Sequence, residues 1–102
     1  MLAEFSITPV GKGESAGATI AEVLRLVDES GLAYKAGAMG TVVEGEWDAV
    51  MGLIKKCHDA AAGTAPRLLT HITIDFRPGK PLDRLEEKLK SVEKRLGREL
   101  KK

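Results

Sequence analysis

The stretch Ser30 to Glu46, SGLAYKAGAMGTVVEGE, constrains the fold of this chain most. Leu32, Tyr34 and Ala36 alternate with smaller or polar residues, and Gly37 interrupts the run. A second short run from Met39 to Glu44 follows and ends at Gly45. Two runs of period two joined by small residues predict a β-hairpin. Its glycines suggest tight turns, or backbone that something else approaches closely. In the second run Thr41 and Val43 oppose Val42 and Glu44, and either pair suits an interior.

The segments around this hairpin have clear periods. From Leu2 to Val10, Ala3, Phe5 and Ile7 alternate with Glu4, Ser6 and Thr8, which predicts a strand with one face in the core. After a flexible loop over Gly11–Gly17, Ile20, Val23, Leu24 and Val27 recur at helical spacing. Ser15 or Thr19 is the expected cap of this helix, and Gly31 the expected left-handed residue at its end. Val50, Leu53, Ile54, Cys57 and Ala61 line a second helix from about Glu46 to Ala62. Its first turn holds Asp48, where a negative charge suits the helix dipole. Gly63 and Pro66 stop it. Arg67 to Arg77 read as the longest strand. Leu68, Thr70, Ile72, Ile74 and Phe76 share one of its faces, and Leu69, His71, Thr73, Asp75 and Arg77 the other. Beyond Pro78, Gly79 and Pro81, a last helix carries Leu82, Leu85, Leu89, Val92 and Leu96, a narrow heptad seam.

The order is β-α-β-β-α-β with one added helix. The expected class is therefore α+β, a ferredoxin-like four-stranded antiparallel sheet with two helices on one face. The other face should be bare and carry Glu4, Ser6, Thr8, His71, Thr73, Asp75 and Arg77. An uncovered sheet and an apolar seam both point to a homo-oligomer. At 102 residues the chain is expected to form one domain, 1–102.

Composition removes several function classes. The net charge is +1, without the basic excess of a nucleic-acid binder. Four aromatic residues (Phe5, Tyr34, Trp47 and Phe76) offer little base stacking. An RNA-binding sheet would carry aromatics on its bare face, and neither phenylalanine falls there. No run approaches the ~18 apolar residues of a membrane span, and no signal peptide is read at the start. Cys57, alone, makes no internal disulfide, which suits a reducing, cytoplasmic setting. Cys57 and His58 diverge by about 100° on a helix, and no partner spacing for zinc is present. Neither a GxSxG elbow, a P-loop nor a dinucleotide fingerprint is completed. No catalytic residue, cofactor or metal is expected.

Several segments together resemble the small thiamine-binding proteins, a family related to larger two-repeat hydroxymethylpyrimidine/thiamine binders. These are Phe5-Ser6-Ile7 with Pro9, Gly11 and Ser15; Ser30-Gly31-Leu32 with Tyr34; Met39-Gly40-Thr41 with Glu44-Gly45; and Arg67, Thr70, Ile72, Ile74-Asp75 and Arg77. The chain departs from the family pattern at Ala38, where proline is usual, at Gly17 and Thr19, where serine and tyrosine are common, and at Phe76, where an acidic residue is common. The resemblance implies a ferredoxin-like fold, assembly into dimers or tetramers, no established catalysis, and thiamine or a related pyrimidine as ligand.

Thiamine joins an aminopyrimidine to a cationic thiazolium. Under this resemblance Ser6, Thr8, Thr41 and Thr73 would offer hydroxyls to the ring edge. Glu44 or Asp75 would accept from the amino group or offset the cation. Met39 would supply an apolar wall, and Trp47 a flat surface for the charge. Each has a plainer role open to it. The hydroxyls suit a solvated strand face, Glu44 the start of the next helix, and Asp75 an ion pair with Arg77 or Arg67. Met39 and Trp47 suit core or interface. The expected function is non-enzymatic binding of thiamine or its hydroxymethylpyrimidine moiety at a subunit interface. The alternative is a ferredoxin-like structural or regulatory module that binds a protein partner through its last helix.

Overall fold

The computed structural model describes residues 1–11, 16–79 and 84–100. Its elements are β1 (Leu2–Val10), α1 (Gly17–Glu29), β2 (Ala33–Ala36), β3 (Thr41–Glu44), α2 (Trp47–Ala62), β4 (Arg67–Asp75) and α3 (Arg84–Leu96). All four strands form one antiparallel sheet in the order β2-β3-β1-β4. This is the ferredoxin-like arrangement, and α1 and α2 cover one face. Pro81, Leu82 and the loop positions Lys12 to Ser15 lie outside the described residues.

Alternation of side chains along each strand sets the two faces. The register pairs Ala3 with Val43 and Ile74, and Phe5 with Thr41 and Ile72. These residues face the helices. Between sheet and helices lies a core of Ala3, Phe5, Val23, Val27, Val43, Val50, Leu53, Ile54, Cys57 and Ala61. All five apolar positions expected on α2 are buried. The hairpin ambiguity is resolved here: Thr41 and Val43 turn toward the helices, and Val42 and Glu44 toward the opposite face.

Helix α1 begins without a side-chain cap, and Thr19 lies inside it rather than capping it. Thr19 is buried, and its hydroxyl donates to Thr64 Oγ1 at 3.0 Å, tying α1 to the end of α2. Val23 and Val27 are buried as the period requires, whereas Ile20 is half exposed. At the other end Ser30 Oγ donates to the Val27 carbonyl, and Gly31 follows with a positive φ of 78°. That conformation favours glycine, as expected at this position. The Tyr34 hydroxyl then donates to Asp28 Oδ1 at 2.7 Å and holds β2 beside α1.

Two expectations about the sheet are corrected. Ile72, Ile74 and Phe76 were expected with the core-facing residues of the last strand but stay exposed, at 40%, 37% and 61%. β4 is an edge strand that the helices overlap only at its start, where Leu68 is half-buried and Thr70 Oγ1 shares a hydrogen bond with His58 Nδ1 (2.9 Å). Phe76 and Arg77 lie beyond the last paired residue, Asp75.

The second face is not fully bare either, because α3 packs over one end of it. Leu85 and Leu89 close a groove against Leu2, Glu4, Val42 and Thr73. Lys35–Glu86 (3.0 Å) and Lys88–Asp75 (2.6 Å) flank them. The leucine seam thus meets the chain's own sheet first, since Leu2 and Val42 leave apolar surface there. Val92 and Leu96 continue the seam and remain about half exposed.

Candidate functional site

β1 and β3 do not run the same distance. β1 pairs with β4 over all nine residues from Leu2 to Val10, but with β3 only from Leu2 to Phe5. The step leaves a cleft beside the second half of β1. Its floor and one side are Phe5 to Thr8. Thr19, Ile20, Val23 and Leu24 of α1 form the opposite wall, and the hairpin tip from Gly37 to Thr41 closes the end. The volume is about 180 Å³.

Local chemistry explains the shape of the tip. Gly37 N–H donates to the Gly40 carbonyl at 2.9 Å, which closes a two-residue loop, Ala38-Met39. Neither Gly37 nor Gly40 has a positive φ. Gly40 serves close approach instead: a Cβ there would stand 3.1 Å from the Phe5 carbonyl oxygen. The tip can therefore lie directly against β1. Met39 projects from it, 91% exposed. Every described lining residue is uncharged, so the cleft has a neutral surface, and its hydroxyl-bearing residues are Ser6, Thr8, Thr19 and Thr41.

Of the seven residues expected at the site, Ser6, Thr8, Met39 and Thr41 line this cleft. Thr41 is buried, Ser6 half-buried and Thr8 exposed. A shallow hollow of about 40 Å³ adjoins it on the other face, where Ser6 and Met39 meet Glu4, His71 and Thr73. Glu44 and Asp75 stand apart, beside α3. Glu44 is buried, with 5% exposure, and its Oε1 accepts from the Leu85 N–H at 3.4 Å. A carboxylate at the first turn of α3 complements the positive end of the helix dipole. Asp75 pairs with Lys88 rather than with the strand arginines considered from the sequence. Thr73 lies between the groups, lining both the hollow and the α3 groove. Trp47 is half exposed at the start of α2, after Gly45, at the end of β3 away from the cleft.

The sequence reading did not assign Thr19, Ile20 or Leu24 to the site. Ile20 has the helical period of a core residue, and only the short β3 reveals that it faces an opening. Among the described residues no cluster of three or more His, Cys, Asp or Glu could hold a metal ion. None of the described helices is long and apolar enough to cross a membrane. Burial pushes the Cys57 thiol up to about 11, which leaves it protonated and weakly nucleophilic at neutral pH.

The architecture is that of a ferredoxin-like α+β protein with a small neutral cleft at an interrupted strand edge. Residues 3–93 match the model of the family described as Thiamine-binding protein, and the chain belongs to that family. The UPF0045 protein Mb1933 of Mycobacterium bovis is 40% identical over 97 residues, which cover 94% of each chain. The crystal structure of the hypothetical protein MJ1052 of Methanocaldococcus jannaschii superposes with a TM-score of 0.80 at 32% identity, covering 89% of this chain and 93% of that one. A domain of unknown function from Bacillus cereus, DUF77, matches with a TM-score of 0.76 at 28% identity, over 87% and 86% of the two chains.

Proposed function

We propose that this protein binds thiamine or its hydroxymethylpyrimidine moiety without catalysing a reaction on it, and that the complete pocket lies between subunits of a homo-oligomer. The observation that carries the reading is the cleft at the start of β3. In a chain of the thiamine-binding family, it gathers Ser6, Thr8, Met39 and Thr41 around a neutral, ring-sized space. Its volume falls below the roughly 300–1,000 Å³ of sites for drug-sized ligands. One ring fits, and a two-ring ligand extends past Met39 toward the hollow holding Glu4 and Thr73. A second subunit over that face would enclose the thiazolium half.

The exposed surface supports assembly. The chain exposes 6982 Å², against about 5,600 Å² for a compact monomer of its mass. The edge strand β4 shows Ile72 and Ile74, and α3 shows Val92 and Leu96, all large apolar side chains in water. The test is calorimetric titration of thiamine and of hydroxymethylpyrimidine, with oligomeric mass measured in the same solution. Saturable micromolar binding by a dimer or tetramer is expected. Full-affinity binding by a stable monomer refutes the interface pocket.

The exposed seam at Val92 and Leu96 favours a second reading, a module that docks a protein partner through α3. Charged substitutions at Leu89 and Val92 separate the two. The second reading predicts loss of a partner with small-ligand binding intact.

A further inference from the structure

We infer that the main chain of Ile7, at the open edge of β1, reads the edge of the ligand's ring through one N–H and one carbonyl. This rests on the ligand reading above and adds how the ring is recognised.

The direction of the backbone groups follows from strand alternation. The Met1 nitrogen donates to the Gly45 carbonyl at 2.7 Å, and Gly45 N–H donates to the Met1 carbonyl at 3.1 Å. Residue 1 thus turns both main-chain groups toward the β3 side. Successive residues of a strand alternate, so Ala3, Phe5, Ile7 and Pro9 turn theirs the same way. The Phe5 carbonyl oxygen lies on that side, against Gly40. Ser6, Thr8 and Val10 turn theirs toward β4, where their partners are His71, Leu69 and Arg67.

The ladder with β3 ends at Phe5 and Thr41. Among the described residues nothing pairs with β1 on this side beyond that point. The Ile7 N–H and carbonyl therefore face the cleft, one donor and one acceptor on a single edge. Pro9 follows with a carbonyl and no N–H. An added strand would find its donors exhausted at Ile7, so the opening suits a ring rather than an extended peptide. The apolar side chains of Ile20 and Leu24 stand across the cleft and offer a surface to the ring.

A ring with an amino group beside an aza nitrogen matches this edge. Its amino group donates to the Ile7 carbonyl, and its ring nitrogen accepts from the Ile7 N–H. Replacing the amino group by an oxo group reverses both positions, because the adjacent nitrogen then carries the proton. Two donors and two acceptors would face each other, and buried polar groups left unpaired discriminate strongly.

The test uses the full-length, ¹⁵N-labelled protein and two probes, 4-amino-5-hydroxymethyl-2-methylpyrimidine and its 4-oxo counterpart. On saturation with the amino compound, the Ile7 amide resonance is expected to move downfield and its hydrogen exchange to slow. The oxo compound is expected to bind at least tenfold more weakly. A synthetic chain with an ester in place of the Ile7 amide should lose affinity tenfold or more, with Tm lowered only slightly through the weaker Ser6 carbonyl acceptor on the β4 side, since among the described residues the Ile7 N–H belongs to no ladder. Saturable binding of the amino compound with the Ile7 amide unmoved overturns the main-chain contact and leaves the ligand reading standing. Equal affinity for the two probes does the same. No binding of the amino compound overturns both.

Discussion

Gly40→Ala tests the geometry of the cleft most directly. The new Cβ would meet the Phe5 carbonyl oxygen at 3.1 Å, Glu4 Cγ at 3.5 Å and the Phe5 carbonyl carbon at 3.7 Å. The oxygen contact is the critical one, several tenths of an ångström inside ordinary van der Waals distance. This oxygen cannot move away cheaply, because Phe5 is fixed on both sides, by Thr41 and by Ile72. Overpacking of this kind costs about 1–3 kcal/mol. Against it stands the lower entropy of the unfolded chain with alanine, about 0.4–1 kcal/mol. Gly40 has no positive φ, so backbone strain adds nothing. The net expectation is a loss of about 1–2 kcal/mol, or on the order of 5–15 °C in Tm for a chain of this size. Urea denaturation measures it, with Gly52→Ala as the control. Gly52 lies in α2 with nothing within 4 Å of an added Cβ, and alanine there should stabilise by about 0.5–1 kcal/mol. Pushing the hairpin tip off β1 also deforms the cleft, so thiamine affinity should fall together with stability. If Gly40→Ala is as stable as the wild type and binds equally well, the close approach of tip and strand is wrong.

Val27→Ala, at a fully buried core position, should cost about 1–3 kcal/mol by urea denaturation, and a change under 0.5 kcal/mol would contradict the packing of α1. Leu89→Asp places a carboxylate near Glu4 and Asp75 and should release α3, seen as faster proteolysis within 84–96 with the rest of the fold retained; unchanged cleavage would show that Leu89 does not anchor the helix. Cys57 gives a pH prediction. Its thiol titrates at about 11 in the fold against about 9 when exposed, so the folded state holds its proton more tightly. That contribution is complete below pH 9 and is lost as pH rises from about 9 to 11, up to about 2–3 kcal/mol. Cys57→Ala should lack this part of the alkaline decline, and native protein at pH 8 should react with thiol reagents only as it unfolds.

The sequence by itself determined the elements and their order. Period two in Leu2–Val10 and Arg67–Arg77, helical spacing in Val50 to Ala61, and the glycine-punctuated hairpin are local patterns, and each gives its element, although β4 ends at Asp75 and the second hairpin strand begins at Thr41 rather than Met39. Given β-α-β-β-α-β, few topologies remain, and the ferredoxin-like sheet is the simplest. Four residues of the cleft, Ser6, Thr8, Met39 and Thr41, were also legible, through family resemblance rather than period.

Tertiary structure decided what depends on lengths and coverage. Both faces of the Thr41–Glu44 strand are apolar enough for an interior, because α3 makes the second face partly interior as well. Hence Glu44 is buried at the start of that helix. Ile72 and Ile74 carry a core pattern but lie on an edge that α1 and α2 do not cover. The cleft exists because β3 begins only at Thr41, opposite Phe5, while β1 continues to Val10, and no residue of either strand encodes that difference locally. The pairing partners of β1 lie about forty to seventy positions away in the chain, so where it outruns β3 is fixed only when the sheet is assembled.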